Sequence, residues 1–298
     1  MNKAASVKTR FMKIAEKEKR SYQDLLQTYG LERVIYRLSR SKYAGKFTLK
    51  GGILLYALFD GKYSRSTTDI DLLGMEISRE KDALQEIFQE VFSVDLDDGI
   101  VIDSTSIRSG DIAQAKAYPG VRITAIACLE RTRIPITIDI GFGDSIVPAP
   151  ISLPFPAILD DSNTNVSAYS LESVVAEKLE AITDLGFLNS RYKDFFDIYM
   201  LSRSFAFDAK QLTDAISATF SKRNTSVQVI TAFEESFSAD AIHQRRWEAF
   251  IKKKATLSSL TLSDVVNEIM RFLIPVLDAL REGNSLNKVW DFSASTWK

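Results

Sequence analysis

The sequence predicts an α+β fold, with a mixed sheet early in the chain and a helical lobe after it. Three observations predict this. Period-2 alternation is concentrated in "GIVIDSTSIRSG", "VRITAIACLE" and "IPITIDIGF", all before residue 143. Apolar residues at helical spacing fill nearly everything beyond the proline-rich stretch that ends the first lobe at residue 160. That stretch, "IVPAPISLPFPAILDDSNTN", separates the two patterns. Strand side chains alternate between faces and helical ones recur every three or four residues, so each pattern points to its own element, and segregated runs of the two point to an α+β chain.

The elements follow in order. Phe11, Ile14 and Ala15, then Leu25, Leu26, Tyr29, Leu31, Val34, Ile35 and Leu38, mark two helices in the first 40 residues. The stretch "KFTLKGGILLYALFDGKYSRSTTDIDLLG" then gives a glycine pair opening a short apolar helix, followed by a strand that carries Asp69 and Asp71. "SREKDALQEIFQEVFSV" is a charged amphipathic helix, and the three alternating strands come next. Pro148, Pro150, Pro154 and Pro156 interrupt helix and strand alike, which places the lobe boundary there: residues 1–160, then 161–298. Beyond it, "LESVVAEKLEAITDLGF", "RYKDFFDIYMLSRSF", "DAKQLTDAISATFSKR", "AIHQRRWEAFIKKK" and "SDVVNEIMRFLIPVLDALREG" read as helices.

Composition narrows the function classes. The 298 residues are 45% hydrophobic and 26% charged, ordinary usage for a folded domain. Lys and Arg number 38 against 39 Asp and Glu, a net charge of -1, so no global basic field announces a nucleic acid and any such surface is local. The single cysteine, Cys128, rules out an internal disulfide and sits in a strand where it behaves as a small hydrophobe. No apolar run approaches the roughly 20 residues of a membrane span, and the basic start lacks the apolar centre of a signal peptide, so a cytoplasmic location is expected.

The candidate site grows from the acidic residues. Residues two apart on a strand share a face, so Asp69 and Asp71 present both carboxylates to one side while Ile70 and Leu72 face the other. Two carboxylates that close repel unless cations neutralise them, and carboxylate oxygens are the ligands Mg²⁺ prefers. Gly51 and Gly52 open a helix whose bare amides and dipole attract phosphate. Asp139, between Ile138 and Ile140 in an otherwise apolar strand, offers a third carboxylate, whereas Asp144 reads as a loop or capping residue. In the helical lobe Lys178 stands beside an apolar stripe with Val174, Ala181 and Leu185 in its row, and Asp194 and Asp197 share a face of a helix apolar nearly all round. Those two acids need a cation, for which Lys178, Arg191 and Lys193 are candidates.

Together "LERVIYRLSRS", "FTLKGG", "TTDIDLLG", "PITIDIGFGD", "VVAEKLEA" and "NSRYKDFFDIYML" resemble, in the same order, the blocks of the AbiEii/AbiGii nucleotidyltransferase toxins. These are the toxin halves of type IV toxin–antitoxin and phage-defence systems and are related to the mycobacterial MenT toxins. The resemblance implies a polymerase-β-like nucleotidyltransferase core, with Asp69, Asp71 and Asp139 as ligands of Mg²⁺ or Mn²⁺. It implies catalytic roles for Lys178 and Asp194, and a nucleoside triphosphate held by Gly51 and Gly52 with Lys50, Arg65 and Lys193 nearby. It also implies a tRNA 3′ end as acceptor and a cognate antitoxin as partner. Ile53 departs from the Thr or Ser that many relatives carry after the glycines, so a hydroxyl contact to phosphate is not expected there. The basic runs "HQRRW" (His243 to Trp247) and "KKK" (Lys252 to Lys254) are candidate RNA contacts, with Trp247 for stacking. Two alternatives are a protein hydroxyl as acceptor and a non-catalytic module that binds nucleotide or antitoxin.

Overall fold

The structure is a computed structural model and describes residues 3–63, 66–112, 120–159, 164–252 and 259–298. Arg65, Lys253 and Lys254, singled out from the sequence, lie outside the described residues. The chain divides into two compact units, one of residues 1–143 and 151–168, the other of residues 144–150 and 169–298. The sequence places a single cut at 160; in the structure the proline-rich stretch contributes to both units.

The first unit runs α1 (Lys3–Glu18), α2 (Tyr22–Arg40), β1 (Phe47–Lys50), α3 (Gly51–Leu58), β2 (Ile70–Gly74), α4 (Lys81–Phe92), β3 (Ile100–Asp111), β4 (Val121–Leu129), β5 (Thr132–Phe142), β6 (Ile151–Phe155) and β7 (Thr164–Ala168). The seven strands form one mixed sheet in the order β3-β4-β5-β2-β1-β7-β6. The pairs β2–β5 and β1–β7 are parallel and the others antiparallel. Val121, Ile123, Ile70, Leu72, Ile138 and Ile140 are buried, while Arg122, Asp71, Thr137 and Asp139 alternate with them on the more open face. Gly30 fixes how closely α2 approaches the buried face, since a Cβ there would lie 2.7 Å from the Ile134 side chain. The expectation that the prolines end every element is corrected by β6, which includes Pro154. A strand at the sheet edge tolerates proline, because the absent N–H removes no ladder bond from its outer side.

The second unit holds α5 (Leu171–Leu185), α6 (Tyr192–Ser202), β8 (Phe207–Asp208), α7 (Ala209–Arg223), α8 (Glu235–Ala239), α9 (Ala241–Ile251), α10 (Leu262–Glu282), β9 (Val289–Asp291) and β10 (Thr296–Trp297). Ser170 caps α5 by accepting the Ser173 amide, and Thr261 with Asp264 forms a capping box at α10. The small sheet β10-β9-β8 is absent from the sequence reading, because strands of two or three residues carry no measurable period. Aromatic packing holds it: Phe272 lies 5.0 Å from the Trp290 ring and 5.8 Å from that of Trp297.

Candidate active site

In the first unit, strand register brings the charges into one row. Arg122 of β4 pairs with Asp139 of β5, Asp139 with Asp71 of β2, and Asp71 with Lys50 at the end of β1. Registered neighbours project to the same face about 4.8 Å apart, so the order across four strands is cation, anion, anion, cation. Asp69 stands just before β2, where its Oδ1 accepts a 3.0 Å hydrogen bond from the Thr67 hydroxyl. Asp69, Asp71 and Asp139 each offer a carboxylate oxygen within 4.8 Å of the others. The sequence reading of a shared face is thus realised, with Asp69 preceding the strand rather than lying within it.

Helix α3 begins at the same place. Gly51 has φ +69, a conformation that L side chains seldom take, and a Cβ there would lie 1.9 Å from Asp71 Oδ2. Glycine is therefore required twice at this position, once for the turn and once to leave room for the carboxylate. Ile53 is fully buried.

Arg122 was not singled out from the sequence. Its Nε and Nη2 donate to Asp139 Oδ1 and Oδ2, both at 2.7 Å, a forked pair that raises the guanidinium further above its ordinary pKa. The signal was present in the hairpin. Leu129 pairs with Thr132 across the β4–β5 turn, and seven steps back and seven steps on reach Arg122 and Asp139. Nothing in "LERTR" announces that tight a turn, which Glu130 enters with φ +53.

Oxygen donors of this kind are what a hard divalent cation takes, and the glycine cradle leaves the Asp71 carboxylate space to turn toward it. The three residues therefore fit such an ion.

In the second unit Lys178 Nζ of α5 donates to Asp194 Oδ1 at 3.0 Å and to Asp197 Oδ2 at 2.6 Å, both on α6. Arg191 Nε closes the set on Asp194 Oδ2 at 2.7 Å. The sequence left open which aspartate pairs with Lys178; both do. Lys193 is exposed on α6. Asp144 lies in the loop after β5, as the sequence reads it, and accepts from the guanidinium of Arg223 at 3.3 Å, which also reaches Glu177 and Glu180. Arg245, Arg246 and Lys252 are exposed, but Trp247 is only 1% exposed and its Nε1 donates to the Leu260 carbonyl. That corrects the stacking role: the α9 periodicity turns the indole into the core. His243 is buried beside it, between the Tyr192 hydroxyl at 2.7 Å and the Phe187 carbonyl at 3.0 Å.

A family model for the nucleotidyl transferase AbiEii toxin, of type IV toxin–antitoxin systems, matches residues 33–268. The chain belongs to this family. An AbiEii toxin is a nucleotidyltransferase paired with an antitoxin, so both hold for this member. Two solved structures share the fold. One is a candidate nucleotidyltransferase from H. pylori, at TM-score 0.52 and 15% identity, covering 89% of this chain and 100% of its own. The other is JHP933 from Helicobacter pylori, at TM-score 0.51 and 15% identity, covering 88% of this chain and 95% of its own. No curated protein matches the chain. The AbiEii match spans Asp69, Asp71, Asp139, Lys178 and Asp194 together, and no helix among the described residues is long and apolar enough to cross a membrane.

Proposed function

We propose that this AbiEii toxin transfers a nucleoside monophosphate from a nucleoside triphosphate to the 3′ end of tRNA in a reaction dependent on Mg²⁺ or Mn²⁺. The observation that carries the reading is the convergence of three carboxylates beside the start of α3. Asp69, Asp71 and Asp139 hold the metal. When bound, paired divalent ions stabilise the entering and leaving oxygens of such a displacement.

The residues of the chain do the rest. The amides at Gly51 and Gly52 receive the triphosphate, because a helix start offers unpaired N–H groups and a favourable dipole. Lys50, Arg65 and Lys193 add positive charge. The acceptor hydroxyl oxygen bonds to the α-phosphorus, the bond to the β-phosphate bridge breaks, and pyrophosphate leaves. Asp139 completes the metal site beside Asp69 and Asp71. Lys178, oriented by Asp194, neutralises phosphate charge. The exposed Arg245 and Arg246 supply phosphate contacts to RNA without a stacking tryptophan.

The test incubates the purified toxin with each α-labelled nucleoside triphosphate, Mg²⁺ and total tRNA, then treats the products with nuclease or protease. Label that is lost to nuclease and retained after protease supports tRNA as acceptor. Label lost to protease alone identifies a protein-modifying toxin. No label with any nucleotide contradicts the reading.

A further inference from the structure

Within the proposed metal site, the residue whose role is least obvious is Arg122. Its guanidinium brackets both oxygens of Asp139, one of the three carboxylates assigned to the ion. Three carboxylates within 4.8 Å repel one another strongly. Along the cross-strand row a basic residue stands at each end, Arg122 forked onto Asp139 and Lys50 in register with Asp71. An arginine keeps its charge across the whole accessible pH range, so the compensation from Arg122 cannot be titrated away.

A second fork in the same unit shows what a permanent one looks like. Arg37 brackets Asp98 at 2.7 and 3.1 Å, donates also to the Ile100 carbonyl at 2.9 Å, and only 3% of each side chain is exposed. Arg122 differs: 48% of its side chain is exposed against 16% for Asp139. Buried, and held also by the Arg33 carbonyl at 3.1 Å, Arg37 cannot leave without stranding charge. Arg122 can swing into water at small cost.

We infer that Arg122 is the resident counter-ion of the carboxylate cluster, holding Asp139 in place in the metal-free protein and competing with the divalent cation for its oxygens. The inference rests on the metal reading proposed above. Arg122 acts through Asp139, so it is a positioning residue. Its competition lowers the affinity for metal, and its release frees a guanidinium at the edge of the site.

The test is Mn²⁺ binding by calorimetry, with thermal melts run with and without Mn²⁺, on the full-length wild type, Arg122→Met, Arg122→Lys and Asp139→Asn. Arg122→Met should bind Mn²⁺ at least about tenfold more tightly, since a unit positive charge near the ion is removed. It should also melt lower without metal and show the larger Mn²⁺-induced rise. Arg122→Lys keeps the charge but cannot bracket two oxygens, so its affinity should fall between those of Arg122→Met and wild type. That comparison stands even if Arg122→Met folds poorly without metal. Wild type and Asp139→Asn binding Mn²⁺ equally, or neither binding, overturns the metal reading and this inference together. Asp139-dependent binding that is unchanged or weaker in both arginine variants overturns the inference alone.

Discussion

The two units each hold a cluster of aspartates with cations, and the clusters balance differently. In the sheet unit Asp69, Asp71 and Asp139 face a half-exposed Arg122, with Lys50 in register at the far end of the row. In the helical unit Asp194 and Asp197 are almost wholly buried, and Lys178 and Arg191 answer them one for one. Among the described residues the first sets three carboxylates against two cations of its row and is partly exposed. The second is closed and satisfied. A cluster that takes an ion keeps carboxylate oxygens within reach of solvent, whereas one that joins two helices buries and pairs them.

The largest effect expected is on the sheet cluster. Asp69→Asn or Asp71→Asn should lower nucleotidyl transfer by about 10³-fold or more, by analogy with the loss of a principal electrostatic group at a charged transition state. The melting temperature should stay level or rise, because one of several crowded anions is removed. Destabilisation with transfer retained would make both residues structural and erase the contrast between the units.

Gly51→Ala tests the cradle. The new Cβ meets Asp71 Oδ2 and the residue keeps a positive φ, so a loss of about 1–3 kcal/mol is expected. Metal affinity should fall with it, because the carboxylate is pushed aside. Calorimetry and melting on one preparation read both effects. An alanine variant with native stability and affinity would refute the close approach.

The helical cluster yields the sharpest comparison. Lys178→Ala removes the ammonium that both buried carboxylates share, leaving Arg191 on Asp194, and should cost about 3–5 kcal/mol, and Asp194→Ala should cost less because Asp197 still pairs the lysine. If Asp194 positions Lys178 for phosphate, rate losses in folded protein should be non-additive, the double variant being little slower than either single one. Losses that track the folded fraction alone would assign this cluster to architecture. Mn²⁺ affinity should be untouched in all three variants.

The smallest effect is at the helix that carries Lys178. Ser170→Ala removes the amide acceptor at the start of α5 and should lower stability by about 1 kcal/mol, measured by urea unfolding, with transfer unchanged in folded protein. A larger fall in transfer than in stability would show that α5 is held in place for catalysis by its first turn.

Much of the sheet site was legible because it violates the local pattern. Acids at positions 71 and 139 interrupt aliphatic alternation, and a polar group in such a place needs a partner. Gly51 was legible as an approach point, but the group that approaches from within the chain is Asp71, which only the β1–β2 register reveals. Arg122 was hidden because an arginine on the open face of an edge-ward strand is ordinary, and its meaning depends on a hairpin register that no turn residue announces. Trp247 misled for the opposite reason: set among basic residues it reads as a stacking platform, while helical spacing points it inward. The small C-terminal sheet was invisible because its strands are held by tryptophans and not by pattern.

The central claim is that the sheet carboxylates carry metal-dependent transfer. The most direct measurement is incorporation of α-labelled nucleotide into total tRNA by wild type and Asp71→Asn, each with Mg²⁺ and with chelator, at matched folded fraction. The account predicts label with wild type and Mg²⁺ alone, and background in the other three reactions. Equal labelling by Asp71→Asn, or labelling that survives the chelator, would contradict it.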